Sequence, residues 1–398
     1  MLRHLLRLTW KRKTRNLMLS LEILIAFAIV FAIAAVALRY LDLARAPIGF
    51  DGSDVWSVQI GAGHNPEQSM PAEIYDTLER GLRELPQVRE VAFAAYSPYT
   101  GSTWTSTYKS PQTGADVRAN VIEAGDSFDT TLGIRMARGR WFARTDEGAA
   151  RQPVVVDERM AAELFPGRDA LGRTLVEKVG EVEHTLEVIG VVEAFRHKGP
   201  LMTPVPFMLT RFSPLSSKSR PEVILLKLAP GTTRGFEQAL NERLKLIRND
   251  WTYRIAPLDS LRAAMLKEQL TPLLVAAVIA AFMLVMVSFG LFGVLWQNVA
   301  QRIPEIGLRR AVGARAGDIY RQIVAEQLLL STLAMLVGVA LLVQLPLTGA
   351  LHDTLSWRVF TGATVLSMAT IYLLSLLSSV YPGWRASRLN PTEALHHE

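Results

Sequence analysis

Arg302-Ile-Pro-Glu-Ile-Gly-Leu-Arg-Arg-Ala-Val-Gly-Ala-Arg315 lies between two long apolar runs of a 398-residue chain. A polar stretch flanked by two membrane-length runs has to be a short loop at one membrane face. With residues 316–326 it carries Arg302, Arg309, Arg310, Arg315 and Arg321 against Glu305 and Asp318. Such an arginine excess beside membrane spans marks the cytoplasmic face. Pro304 suits a helix start, where its missing N–H would lack a partner anyway, and Gly313 suits a helix stop. The spacing predicts a short helix over residues 304–312. Ile306 and Arg310 share one face of it, and Glu305 and Arg309 pair on the next at i,i+4. Two readings stand at this point: a docking knob for a soluble partner, or a charged loop that only fixes topology.

Working outward, the apolar runs predict four spans. Residues 1–16 carry six basic side chains and no acid, with apolar residues at helical spacing. That pattern is a cytoplasmic amphipathic helix suited to an anionic lipid surface. Residues 17–39 form the first span; its apolar part, about 33 Å long as a helix, exceeds the core of a signal peptide, the rival reading. Glu22, near its basic end, reads as interfacial, within reach of Arg15 or Lys11. Residues 270–296, 323–345 and 359–381 are the other spans, with Pro346 ending the third and Pro382-Gly383 the fourth. Residues 297–322 are then a cytoplasmic loop, 346–358 a short outer loop and 382–398 a cytoplasmic tail. Four spans place both termini in the cytoplasm, with every basic cluster inside. Glu326 sits within a turn of the cytoplasmic end, where Arg321 can pair with it.

Residues 40–269 contain no membrane-length apolar run and form a large domain on the far side. Residues 55–60 and 88–95 read as strands around a helix at 71–85. Residues 222–228 and 251–255 read as strands around a helix at 232–247. Two β-α-β units so far apart predict a split ferredoxin-like subdomain interrupted by an insertion of about residues 97–221. The insertion is strand-rich, with strands at 117–123, 154–156 and 185–192 and a helix at 158–165. Residues 258–269 form an amphipathic helix that runs straight into the second span.

Lys plus Arg number 43 against 37 Asp plus Glu, but the excess sits beside the apolar runs, which favours membrane anchoring over nucleic-acid binding. There is no cysteine, hence no disulfide or thiolate chemistry. The histidines show no metal-ligand spacing, and no serine lies in a nucleophile elbow. Gly167-Arg-Asp-Ala-Leu-Gly-Arg-Thr174 has P-loop spacing, but Arg173 replaces the lysine and no strand precedes it; it reads as a turn between helix and strand. No enzyme active site is expected on this chain.

Glu305-Ile-Gly-Leu-Arg-Arg-Ala-Val-Gly-Ala-Arg315 resembles the coupling helix of the MacB/FtsX-like class of ABC transporter permeases. Tyr381-Pro-Gly-Trp-Arg-Ala-Ser-Arg-Leu-Asn-Pro-Thr-Glu-Ala-Leu395 resembles that family's ending, with Gly383 where alanine is usual. Asp126-Ser-Phe128, Leu132-Gly-Ile134, Gly139-Arg-Trp-Phe142 and Val188-Ile-Gly-Val-Val192 resemble its periplasmic domain. The resemblance implies a four-helix membrane protein with an α+β periplasmic domain in a bacterial inner membrane. It implies a permease of the mechanotransmission type, without a fused ATPase, that passes ATP-driven helix movement to the periplasmic domain, as in efflux. The alternative is an FtsX-type transmitter that controls a periplasmic cell-wall hydrolase. Glu305, Ile306, Gly307, Leu308, Arg309, Arg310, Gly313 and Arg315 would contact the ATPase, with Ile306 and Leu308 as the apolar contacts. The implied partners are a cytoplasmic ATPase dimer carrying ATP and Mg, a second or sister permease, a periplasmic adaptor, and lipid; this chain itself would hold no cofactor.

Overall fold

The computed structural model describes residues 13–61, 71–179, 182–215, 221–349 and 355–388. The expected amphipathic helix of residues 1–16 falls largely outside these, as do residues 350–354 of the outer loop and the end of the C-terminal motif. The chain divides into two compact units, residues 43–269 and the remainder on either side.

In the first unit, β1 (Val55–Gly61), α2 (Glu73–Arg83) and β2 (Val88–Ala94) make one β-α-β unit. β10 (Val223–Leu228), α5 (Phe236–Ile247) and β11 (Thr252–Pro257) make the other. The sheet order β11-β1-β10-β2, with every neighbouring pair antiparallel, is the split ferredoxin-like arrangement expected. Alternation along β1 sends Trp56, Val58 and Ile60 into one core with Tyr75, Leu78 and Leu82 of α2 and Leu240 and Leu244 of α5.

The insertion holds more strands than expected. Besides β4 (Asp116–Ala124), β6 (Gln152–Asp157) and β8 (Val182–Val192), it contains β3 (Trp104–Lys109), β5 (Met136–Gly139), β7 (Thr174–Val179) and β9 (Phe207–Arg211). The pairings run β4-β3-β7-β8-β6-β9 and then return to β4 through a parallel β4–β9 ladder, so six strands close into a barrel. Its lumen takes Val117, Ala119 and Val121 of β4, Val154 and Val156 of β6, and Leu186 and Val188 of β8. Met160, Ala161 and Leu164 of α4 (Glu158–Leu164) belong to the same core. Asp157 caps α4 by accepting from Met160 N (2.8 Å) and ties it to β9 by accepting from Phe207 N (3.1 Å). The P-loop-like residues 167–174 form the turn that leads into β7.

The other unit holds four membrane-length helices, α1 (Lys13–Arg45), α6 (Leu258–Gln301), α8 (Ala316–Leu342) and α10 (Trp357–Ser387). Helix α6 begins at Leu258 and passes through Pro272, so residues 258–269 do run unbroken into the span. The core joins Ile23 and Phe27 of α1, Leu291 of α6, Met335 of α8 and Ile371 of α10. Hydroxyl pairs tie the helices, Ser331 Oγ to Ser375 Oγ at 2.7 Å and Ser288 Oγ to Ser378 Oγ at 3.1 Å. Two readings of helix ends in this region are corrected. Helix α8 ends at Leu342, before Pro346, which lies within the short following helix α9 (Gln344–Leu347) and does not end the apolar stretch. The fourth passes through Pro382 to Ser387, because Ala386 is fully buried and its packing offsets the kink and lost bond a proline imposes. Glu22, half-buried, packs against Gly290, where an added Cβ would lie 2.5 Å from Glu22 Oε1.

Candidate functional site

Between α6 and α8 the chain forms α7 (Ile303–Ala311), one residue offset from the sequence expectation, with Pro304 in its first turn. Val312 N donates to Leu308 O (3.0 Å) and Ala314 N to Arg309 O (3.0 Å), closing the last turn. Gly313 then takes φ +103°, a region L side chains rarely adopt, so the turn into α8 needs glycine there.

The two faces of α7 differ. Ile306 is 6 % exposed and packs on Ile319 and Ile323 of α8 and on Ala386 of α10; Gly307 is buried beside it. Leu308 is 59 % and Val312 82 % exposed. The expected apolar pair is therefore split. Ile306 belongs to the bundle, and Leu308 shares the open face with Val312, which sequence reasoning missed. Helical periodicity gave the faces but not which of them the bundle would cover.

The charges are also engaged within the chain. Arg309 donates to Glu305 Oε1 (2.6 Å), as the i,i+4 spacing predicts, and to Gln322 Oε1 (2.7 Å). Arg302 donates to Glu305 Oε2 (3.2 Å) and to Glu326 Oε2 (2.7 Å). The partner of Glu326 is thus Arg302 and not Arg321, because Arg302 closes α6 facing the first turns of α8. Gln322 Nε2 donates to Glu326 Oε1 (2.9 Å), completing a network across α7 and α8. Arg310 donates to the Ser387 carbonyl (3.1 Å). Arg315 is exposed, and its N–H donates to Asp318 Oδ2 (3.3 Å) at the start of α8. The result is a helix held to the bundle by Ile306, by Arg309 on Gln322 and Arg310 on Ser387, and through Arg302, which bridges Glu305 to Glu326, with an apolar patch facing out. This geometry suits docking.

A second arrangement concerns the extramembrane unit, at the end of α1. Arg196 is 2 % exposed and donates only to backbone carbonyls: Leu43 O (2.9 Å), Ala46 O (3.0 Å), Met202 O (2.6 and 3.0 Å) and Pro200 O. It thereby satisfies carbonyls that the end of a helix leaves open, at the negative end of the helix dipole.

Residues 19–243 match the family described as MacB-like periplasmic core domain, and residues 277–391 match the FtsX-like permease C-terminal family. The macrolide export ATP-binding/permease protein MacB of Neisseria gonorrhoeae is 27 % identical over 389 residues, covering 96 % of this chain and 58 % of that protein. The MacB of Chromobacterium violaceum is 30 % identical over 290 residues, covering 71 % of this chain and 44 % of that one. The pyoverdine export protein PvdT of Pseudomonas aeruginosa is 26 % identical over 400 residues, covering 98 % of this chain and 57 % of that protein. The matched part of this chain thus spans between 44 % and 58 % of the length of these relatives. The crystal structure of the periplasmic region of MacB from Actinobacillus actinomycetemcomitans aligns with 56 % of this chain and 97 % of its own, at 18 % identity and a TM-score of 0.38. Two family matches in order along the chain, together spanning the extramembrane domain and the membrane block, place this protein in the MacB/FtsX-like family of ABC transporter permeases.

Proposed function

We propose that α7 receives force from a nucleotide-hydrolysing partner, and that the protein, in a bacterial inner membrane, uses it to move its extramembrane domain in the efflux or export of a periplasmic or membrane substrate. The observation that carries this is the division of α7: Ile306 and the Arg302–Glu326 contact hold it to the bundle, while Leu308 and Val312 stay open. A loop that only fixed topology would need charge, not an exposed apolar patch on a pinned helix. The hydrolysing domain lies outside these 398 residues, which contain no P-loop lysine in a phosphate-binding context. α7 then lies on the cytoplasmic side with both termini, and the extramembrane domain in the periplasm, where an adaptor protein can meet it. The span in α6 is 11 % buried against 28–33 % for the other three, which supports a second permease copy beside that helix. Relatives named as macrolide and pyoverdine exporters favour export over control of a hydrolase.

Because Ile306 is internal, an Ile306→Asp change damages the seat of α7 and cannot separate docking from folding. The discriminating variant is Leu308→Asp with Val312→Asp. It should insert and fold as wild type yet lose co-purification of the ATPase, since a carboxylate desolvated in an interface without a partner costs several kcal/mol. Wild-type ATPase recovery with the double variant overturns the docking assignment.

A further inference from the structure

The barrel of the insertion is filled only part of the way. One part of the lumen is packed by Met160, Leu164 and Phe165 with the inward residues of the strands. The remainder is open as a cavity of about 530 Å³, within the range typical of small-molecule sites, which often occupy barrel mouths. Its wall continues the inward alternation of each strand. Trp104, Ser106 and Tyr108 come from β3, Val121 and Glu123 from β4, Glu177 from β7 and His184 and Leu186 from β8. The alternation that buries valines deeper in the lumen changes here to aromatic and acidic side chains, although core filling alone would continue the valines.

Three features give the cavity a preference. Trp104 is 59 % exposed at the rim, an unusual position for the largest apolar side chain. Glu177 is held in place, because Ser106 Oγ and Tyr108 OH both donate to its Oε1. Its Oε2 has no partner among the described residues. Finally, of the charged groups that line the cavity, Asp146 is already held by Arg140 in a bidentate pair (2.6 and 2.7 Å), and the one guanidinium is Arg211. That guanidinium is already neutralised: Asp126 takes it in a bidentate pair (2.8 and 2.9 Å) and Glu147 accepts a third bond (2.7 Å). An aromatic face beside a fixed carboxylate with one open oxygen is the chemistry that recognises a cation.

We propose that the open end of the barrel binds a small organic cation, an ammonium or guanidinium carried on an apolar body. The cation lies against the Trp104 ring and the free oxygen of Glu177, and the apolar body fills the lumen above Val121 and Leu186. This site is separate from α7, and its occupancy does not depend on ATPase docking.

The test uses full-length protein in detergent and three ligands of one shape: benzyltrimethylammonium, its neutral isostere neopentylbenzene, and anionic benzylsulfonate. Titration calorimetry should show one benzyltrimethylammonium per chain, with the neutral and anionic forms bound at least about tenfold more weakly. Glu177→Gln and Trp104→Ala should each weaken the cation by about tenfold while leaving the neutral form less affected. Trp104 is exposed, so its variant retains the fold and keeps the test valid if Glu177→Gln lowers stability. Equal binding of the three ligands, unchanged cation binding in the Trp104→Ala protein, or no cation binding in the millimolar range each overturns the proposal.

Discussion

Arg196 in the extramembrane domain gives every bond to backbone carbonyls, whereas Arg302 and Arg309 beside the membrane helices share Glu305, Gln322 and Glu326. The first guanidinium is buried with no carboxylate near it, and burial draws its pKa below the ordinary value. Its charge persists because the acceptors are many and one set belongs to a helix end. The second network is half-open and ionic, so it can exchange partners at small cost. A buried cation with neutral acceptors fixes one geometry. A surface network of charges holds a helix in place while leaving it able to adjust when something docks.

Removing the Arg196 donors should therefore have the largest effect. Arg196→Met keeps most of the volume but orphans the carbonyls of Leu43, Ala46, Pro200 and Met202. It should destabilise the domain by about 3 kcal/mol, with Arg196→Lys close behind, because one ammonium cannot reach so spread a set. Thermal unfolding and amide exchange over residues 43–46 would report it. A loss under about 0.5 kcal/mol would mean that water replaces the guanidinium easily and would end the contrast.

His197, the next residue, sharpens the comparison because it can give up its proton. It is fully buried between Tyr96 and Phe207, with Nε2 near Thr103 Oγ and Ser102 O (both 3.2 Å), and its Nδ1 has no partner. Burial lowers its pKa from 6.5 to about 4. Between those values the unfolded chain binds more protons than the folded one, so stability falls as pH drops through that window, by on the order of 3 kcal/mol. Asp157 works against this, since burial raises it to about 6 and its contribution falls as pH rises between about 4 and 6. The His197→Phe protein should lack the first component alone. A difference between the two proteins that does not change with pH would show that His197 has the same pKa folded and unfolded.

The smallest effects belong to α7. Arg302→Gln should cost about 1 kcal/mol, decreasing with added salt, and Arg309→Lys should stay within about 0.5 kcal/mol. Guanidinium-specific loss at Arg309, measured by unfolding in detergent at low and high salt, would place it with Arg196 instead.

Much of this was legible because the signals are local. Pro304 and Gly313 bracket α7, the four apolar runs give the spans, and the two β-α-β patterns give the ferredoxin-like sheet. Other features were not. β3 and β7 are short and largely polar outward, and β9 is only five residues. Helix ends at Pro346 and Pro382 were misplaced because proline restricts the backbone locally, whereas Ala386 packing is a distant contact.

The sequence by itself determined which segments are helices, which alternate as strands, where charge accumulates and which residues form each face of α7, since propensity, periodicity and solvation act within a few residues. Only the tertiary structure decided that Ile306 faces inward and Leu308 outward, that Arg302 rather than Arg321 meets Glu326, and that a parallel β4–β9 ladder closes the insertion into a barrel with an acidic, aromatic mouth. Each of these depends on segments about 20 to 90 residues apart meeting in space, and the closure entropy of such contacts is repaid only by the assembled core.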